Sequence, residues 1–179
     1  MRKLKLDELN RLDREEFQNV DKIPVTVILD NIRSGMNVGS FFRTSDALRI
    51  ERIVLCGITA RPPHKEILKS AIGASNTVSW NYVEHISEVI TDYQTNGYYI
   101  VGIEQTTQSK SLIDYQIDRN RKYAVIFGNE VNGLSTEILS DLDDCIELPQ
   151  YGTKHSLNVS VCGGIVLWHF ATPLLKGIN

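Results

Sequence analysis

The sequence of 179 residues lacks the residue patterns that mark disulfide-rich proteins and common metalloenzymes. Its three cysteines, Cys56, Cys145 and Cys162, are not at the paired spacing of a disulfide framework or a zinc site. Each lies in an apolar run, so we expect buried free thiols in a reducing compartment. The four histidines show no His-x-x-x-His spacing, and the sequence therefore gives no support for a metal centre.

Long apolar runs are also missing. The most apolar stretch, residues 165–170, is too short to span a bilayer. The first 17 residues are charged throughout and contain no apolar segment of the kind that a signal peptide needs. We therefore expect a cytoplasmic protein without a membrane anchor.

The chain has no excess of positive charge. The formal net charge is -3, which argues against a uniformly basic nucleic-acid coat but leaves room for a local basic patch. With 42% hydrophobic and 23% charged residues, the composition is that of a single globular domain with a substantial core.

Three nucleotide-binding and hydrolase motifs are incomplete or missing. Gly128 and Gly133 have the glycine spacing of a phosphate-binding loop, but Leu134 stands where such a loop needs a lysine. No early strand is followed by the Gly-x-Gly-x-x-Gly fingerprint, and Ser156 is not in a Gly-x-Ser-x-Gly elbow. These gaps exclude the main nucleotide-triphosphatase, dinucleotide-binding and serine-hydrolase interpretations.

Short apolar runs alternate with helical patterns along the chain. The predicted strands are 25–29, 52–56, 80–83, 98–104, 122–127 and 145–148. Helices are predicted at 40–48, 66–71, 86–96 and 158–175, with a further helix from 135 to 139. This alternation predicts an α/β protein, a mainly parallel sheet with helices on both faces.

The N-terminal segment differs from the rest. Leucines recur among alternating charges in residues 1–22, which predicts an amphipathic accessory helix that packs on the body or on a partner. Residues 23–179 form the single main domain in this interpretation, because no linker or repeat divides them.

Polar loops follow three predicted strands, after Leu29, Phe127 and Leu148. Ligands of parallel sheets bind in loops at the carboxyl ends of the strands. In the last of these loops Gly152 permits a turn, and Ser156 or Asn158 can cap the following helix. In the first, Asn37 is expected near a helix cap and Arg43 on the first turns, although a simple cap and a solvated charge would look the same when each is taken alone.

Three motifs in this order resemble the SpoU (TrmH-like) family of RNA ribose 2'-O-methyltransferases, within the SPOUT superfamily. They are Asn37–Ala47, Phe127–Ser135 and Ile146–Ser160, and Lys69–Ala74 is similar to the segment between the first two. The resemblance covers almost all of residues 23–175. Val131 and Gln150 depart from the usual family residues, outside the positions expected to carry chemistry.

The resemblance implies an S-adenosyl-L-methionine-dependent RNA (ribose-2'-O)-methyltransferase that modifies a structured RNA, either tRNA or rRNA. It further implies a SPOUT fold with a deep C-terminal trefoil knot, and a homodimer with the active site at its interface. General rules of chain topology make knots very rare, so the residue pattern alone predicts an unknotted sheet.

The resemblance also assigns residues. Arg43 is the expected catalytic group, and four residues are expected to orient it, the ribose or the loops: Asn37, Glu130, Ser156 and Asn158. The cofactor is expected between Gly128, Leu148 and Leu157, with Gln105 as a further contact.

Several alternatives stay open from the sequence. Arg43 either accepts the hydroxyl proton or stays cationic and stabilises the developing alkoxide while another group or water takes the proton. A non-catalytic RNA-binding or ribosome-assembly protein could share the fold, and so could an RNA base methyltransferase. The sequence does not identify the RNA or nucleotide that is modified, or whether the N-terminal segment contacts RNA or a partner subunit.

Overall fold

The computed structural model describes residues 1–176, and the last three residues of the predicted main domain lie outside the described residues. Seven strands in this part of the chain form one sheet. The strands are β1 (Ile23–Asp30), β2 (Ile50–Cys56), β3 (Trp80–Val83), β4 (Tyr98–Ile103), β5 (Lys110–Ser111), β6 (Lys122–Phe127) and β7 (Asp144–Glu147). The α-helices are α1 (Arg14–Asn19), α2 (Gly35–Ala47), α3 (Lys65–Ala71), α4 (Ile86–Thr95) and α5 (Val159–Leu175).

Every strand pair is parallel, in the order β3-β2-β1-β6-β4-β7-β5. Side chains alternate between the two faces: Val27 and Leu29 belong to the core cluster under α2 and α5, and Ile28 belongs to the cluster under α4. The predicted α/β architecture with a mainly parallel sheet is therefore confirmed. The two-residue β5 was not predicted.

The N-terminal segment is not one helix. It forms a 3-10 helix at Leu6–Leu9 and then the six-residue α1. Asn10 takes the left-handed conformation with φ 45°, and a new helix starts behind Asp13, whose carboxylate accepts from the Glu16 amide at 2.9 Å. Phe17 is buried, but Leu4 and Leu12 are exposed, so only part of the predicted apolar stripe packs on the body.

The segment after Ser135 also differs slightly from its prediction, because it forms a 3-10 helix at Thr136–Asp141. Helix α5 matches its predicted bounds and contains Pro173 in its last turn. No helix within residues 1–176 is both long and apolar enough to cross a membrane.

Helices α2 and α5 pack together where Gly163 meets the ring of Phe41. A Cβ on Gly163 would overlap this ring, which is itself 4.9 Å from the ring of Phe127 between centroids. The absence of a side chain at Gly163 therefore sets how closely α5 approaches α2 and the sheet.

We expect Gly163→Ala to lower the free energy of unfolding by about 1 kcal/mol, because overpacking costs about 1–3 kcal/mol against a gain of up to about 1 kcal/mol in helix propensity. Urea denaturation measures this loss. Phe41→Leu removes the ring atoms nearest the new methyl. The double variant should therefore lose less free energy of unfolding than the sum of the losses in the two single variants. Strictly additive losses would contradict the packing explanation.

Candidate functional site

A cavity of about 690 Å³ opens at the carboxyl ends of β4, β6 and β7. The predicted loops after Phe127 and Leu148 both contribute to its wall. Of the residues predicted to act on cofactor or substrate, seven line it: Gln105, Gly128, Glu130, Leu148, Ser156, Leu157 and Asn158. Asn37 and Arg43 do not line it.

The loop after β6 folds back on itself. The backbone amides of Asn129 and Gly133 each donate to the other's carbonyl, at 3.0 and 2.9 Å. Gly133 has φ +65°, which a side chain would strain, and a Cβ on Gly128 would lie 2.5 Å from the amide nitrogen of Leu134. Gly128 therefore packs against the loop's own backbone, where a side chain would not fit, and it also lines the cavity.

A hydrogen-bonded chain joins the three motifs. The carboxylate of Glu130 accepts from the side-chain amide of Asn37 at 3.0 Å and from the backbone amides of Arg33 and Ser34, both at 3.1 Å. The side-chain oxygen of Asn37 accepts from the Asn158 side chain at 3.1 Å. Although Asn37 is outside the cavity wall, it holds two lining residues in place.

The hydrogen-bonded chain involves the first turns of two helices, α2 and α5. Asn158 caps α5, since its side-chain oxygen accepts from the amides of Ser160 and Val161. Helix α2 starts at Gly35, five residues earlier than predicted, and its cap is Ser34. Asn37 is thus not the cap but lies in the first turn, which frees its side chain for contacts with the other loops.

Sequence reasoning missed Glu104. One carboxylate oxygen of Glu104 accepts from the Gln105 amide at 2.8 Å and the other from the Leu134 amide at 2.9 Å. Gln105 in turn donates to the carbonyl of His155 at 3.1 Å. A carboxylate directly after an apolar strand and next to a predicted cofactor contact was the signal that could have identified it.

A second asparagine pair, also missed, links the loops after β1 and β6. The side chain of Asn129 donates to the carbonyl of Asn31 at 2.8 Å. Asn31 has φ 57°, and its side-chain oxygen accepts from the Ile58 amide in the loop after β2. The loops that follow three adjacent strands are therefore tied together.

Arg43 lies on the outward face of α2 together with Met36. Both side chains are exposed, and Arg43 forms no ion pair with any residue of the described chain. One chain alone does not bring Arg43 to the cavity.

The cavity is acidic. Glu104, Glu130 and Glu147 line it, and no lysine or arginine among residues 1–176 does. Partial burial alone would raise the pKa of Glu130, but the hydrogen bonds it accepts outweigh that effect and hold the pKa below its usual range. This wall suits a ligand with positive charge better than a polyphosphate.

The cysteines are free thiols. Cys56 is buried and Cys162 forms part of the cavity wall. Burial, with a smaller contribution from a nearby carboxylate, raises their pKa values to about 12 and about 11. Both are protonated at neutral pH, so neither is an activated nucleophile. Within the described residues no three His, Cys, Asp or Glu side chains group as metal ligands.

The model of the SpoU rRNA Methylase family matches residues 24–168. A 23S rRNA (guanosine-2'-O-)-methyltransferase of Neisseria meningitidis serogroup B is 27% identical over 151 residues, which are 84% of this chain and 59% of that protein. A tRNA (guanosine(18)-2'-O)-methyltransferase of Borreliella burgdorferi is 28% identical, over 90% of this chain and 72% of its own length. The chain thus spans only about three-fifths of the first of these relatives.

Solved structures agree with the sequence matches. The AdoMet-bound rRNA methyltransferase of Sinorhizobium meliloti superposes with a TM-score of 0.77 at 25% identity, over 90% of this chain and 60% of that one. The TrmH/SpoU tRNA modifying enzyme of A. aeolicus gives 0.77 at 26% identity, over 92% and 81%.

Because the native pKa of Glu130 is lowered, its stabilising effect is present above the ordinary value of 4.5 and is lost as the pH falls through the native pKa. We expect Glu130→Gln to lower the free energy of unfolding by about 1 kcal/mol or less at neutral pH, since the group is partly solvated. Urea denaturation between neutral and acid pH should show the difference from wild type closing on acidification. Glu137→Gln, at an exposed carboxylate, is the control, and a gap independent of pH would refute the assignment.

Proposed function

The chain belongs to the SpoU rRNA methylase family, and from this membership we propose that it transfers a methyl group from S-adenosyl-L-methionine to a ribose 2'-hydroxyl of a structured RNA, a tRNA or rRNA. The observation that carries the proposal is the hydrogen-bonded chain of Glu130, Asn37 and Asn158, one residue from each family motif, at the edge of a ligand-sized cavity.

The cavity fits the cofactor in size and charge. Its volume lies within the range of small-molecule sites, and its carboxylates favour a ligand that carries sulfonium and ammonium charges. Leu148 and Leu157 offer apolar surface, and Gly128 lines the wall without a side chain. Gln105 supplies a polar side chain at the rim. When bound, the cofactor supplies an electrophilic methyl group.

In the proposed reaction, the protein contributes mainly by positioning. Asn37 and Asn158 fix the relative positions of α2 and α5, and Glu130 fixes the loop after β6 against the start of α2. Ser156 has a hydroxyl at the cavity wall for the ribose. These contacts hold the groups around the reaction centre in position, and none of these positioning roles requires a side chain to change its charge.

Arg43 is the proposed catalytic group. A guanidinium holds its proton so tightly that we assign it the role of stabilising the developing alkoxide, while another group or water takes the hydroxyl proton; acceptance of that proton by Arg43 is the alternative. Because Arg43 is outside the cavity of its own chain, we propose that a second copy of the chain supplies it.

The proposed homodimer would use the exposed face of α5. Val161, Ile165 and Trp168 are exposed at helical spacing on this face, and α5 packs beside α2, which carries Arg43. A two-fold axis through such a face pairs each α5 with its copy. Arg43 of one subunit would then lie near the Asn158 end of its partner's cavity.

Other parts of the family assignment are also proposals. We place the trefoil knot where the segment after β7 enters α5, treat residues 23–179 as the single methyltransferase domain with 1–22 as an accessory segment, and expect the protein in the cytoplasm without metal.

The activity test incubates the protein with labelled S-adenosyl-L-methionine and total RNA from cells that lack the protein, followed by mass spectrometry of the digested nucleosides. A ribose-methylated nucleoside supports the proposal. A base-methylated nucleoside would instead indicate an RNA base methyltransferase, and bound but unmethylated RNA would indicate a non-catalytic RNA-binding protein.

Arg43→Ala should lower the rate of methyl transfer by about 10²- to 10³-fold, the effect of removing one electrostatic stabiliser, and leave cofactor affinity unchanged. Single-turnover transfer and calorimetry with S-adenosylhomocysteine measure the two quantities. Arg52→Ala, at an exposed arginine near the start of β2, is the control. Lost cofactor affinity in Arg43→Ala would make the residue structural.

Trp168→Asp should shift the protein towards monomers, weakening dimerisation about 30-fold or more, as expected for an interface residue worth about 2 kcal/mol. Light scattering during size-exclusion chromatography measures the mass. The matched change is Ile113→Asp, since Ile113 is 65% exposed and Trp168 63%. Dimers that persist in Trp168→Asp would exclude this face.

A further inference from the structure

Positive charge is concentrated in one part of this acidic chain. Residues 31–70 contain seven lysines and arginines and three acidic residues, a net charge of +4. Since the whole chain has a net charge of -3, the remaining residues have a net charge of -7. By contrast, residues 1–22, the other basic candidate, contain six positive and six negative side chains. The concentration is therefore specific to the segment that contains the loop after β1, helix α2, strand β2, the loop after β2 and helix α3.

The loops of this region lie side by side. The amide of Ala60 donates to the carbonyl of Ile32 at 3.3 Å, and the amide of Ile32 donates to the hydroxyl of Thr59 at 3.0 Å. The two loops are also close where they lead into helices, since a Cβ on Gly35 would be 2.7 Å from Nδ1 of His64. The loops after β1 and β2 thus form one continuous surface.

Four exposed lysine and arginine side chains belong to this surface, which we name the basic edge: Arg33, Arg61, Lys65 and Lys69. None of them forms an ion pair with another described residue, and the nearby acidic residues Glu66 and Glu84 do not neutralise them by direct contact. These cations are therefore available to an external anion.

Contacts with neighbouring residues restrain one side chain of the basic edge and connect the basic edge to the cavity. The guanidinium of Arg61 lies 4.1 Å from the centroid of the Tyr82 ring, which restrains a side chain that would otherwise be free in solvent. The backbone of Arg33 donates to Glu130 at the cavity wall. A ligand that enters the cavity and continues along this surface meets acidic groups first and basic groups afterwards.

We propose that the basic edge binds the phosphate backbone of the RNA beside the target nucleotide. This assignment rests on the proposed function and adds the surface that holds the substrate. The spread of the cations over two loops and both ends of α3 suits several successive phosphates better than one small anion. Lysine and arginine neutralise phosphates regardless of sequence, so the basic edge supplies affinity and orientation and does not select the base.

The test compares two double variants that remove the same charge. Arg61→Gln with Lys65→Gln alters the basic edge. Arg119→Gln with Lys122→Gln alters exposed residues at the amino end of β6, far from the carboxyl ends of the strands. Each pair loses one cation–π contact, since Lys122 lies 5.5 Å from the ring of Tyr98. Binding of fluorescently labelled bulk tRNA and bulk rRNA fragments is measured over a range of salt concentrations.

We expect the basic-edge variant to bind the better of the two RNAs on the order of 25- to 60-fold more weakly at about 0.1 M salt, with a salt dependence shallower by about 1.4–1.8 in log–log slope, the loss of two phosphate contacts. The control variant should change affinity less than about two-fold. Equal effects of the two variants, no effect of either, or no RNA binding by the wild type would each overturn the proposal.

The outcome is separable from that of the proposed function. Calorimetry with S-adenosylhomocysteine and thermal melting should be unchanged in both variants, which excludes misfolding as the cause. Methyl transfer with an unchanged KM for RNA in the basic-edge variant would overturn this surface and leave the activity intact. RNA binding that depends on the basic edge without any methylated product would support this surface and contradict the proposed methyl transfer.

Discussion

The site depends on one buried amide. The side chain of Asn37 is only 8% exposed and uses both its ends, donating to Glu130 and accepting from Asn158. Its partners are 93 and 121 residues away in sequence, so this single side chain fixes the start of α2, the loop after β6 and the start of α5 relative to one another. A residue with only one polar end would leave a partner unsatisfied, at a cost of about 1–3 kcal/mol.

Much of the sheet could be predicted, because parallel strands covered on both faces appear in the sequence as short continuous apolar runs. The predicted strands at 80–83 and 122–127 match β3 and β6 residue for residue. The position of the site followed from polar loops at the carboxyl ends of such strands. The role of Asn37 did not follow, because Ser34 and Asn37 are both suitable caps and the contact that decides between them, with Glu130, is tertiary.

Other differences arise where a local pattern has no fixed tertiary meaning. Apolar periodicity in the first 21 residues indicates which side of a helix could be buried. Among the side chains described there, however, only Phe17 is fully buried, and the capping box at Asp13 starts a new helix. Glu104 was missed because a carboxylate that accepts two backbone amides looks like any surface acid in a sequence. Arg43 was expected near the loops of its own chain. Its position on a helix does not indicate whether its side chain acts at the cavity of its own chain or at that of a second copy.

The negative net charge of the chain says little about RNA binding once the charges are located. The acidic side chains that line the cavity and the unpaired cations of the basic edge lie on neighbouring surfaces joined by Arg33 and Glu130. Screening at physiological salt acts over about 8 Å, so a ligand senses mainly the charges of the surface that it touches. A cationic cofactor and an anionic backbone can then be attracted to adjacent parts of one edge of the sheet, whereas a uniform charge of either sign would repel one of them.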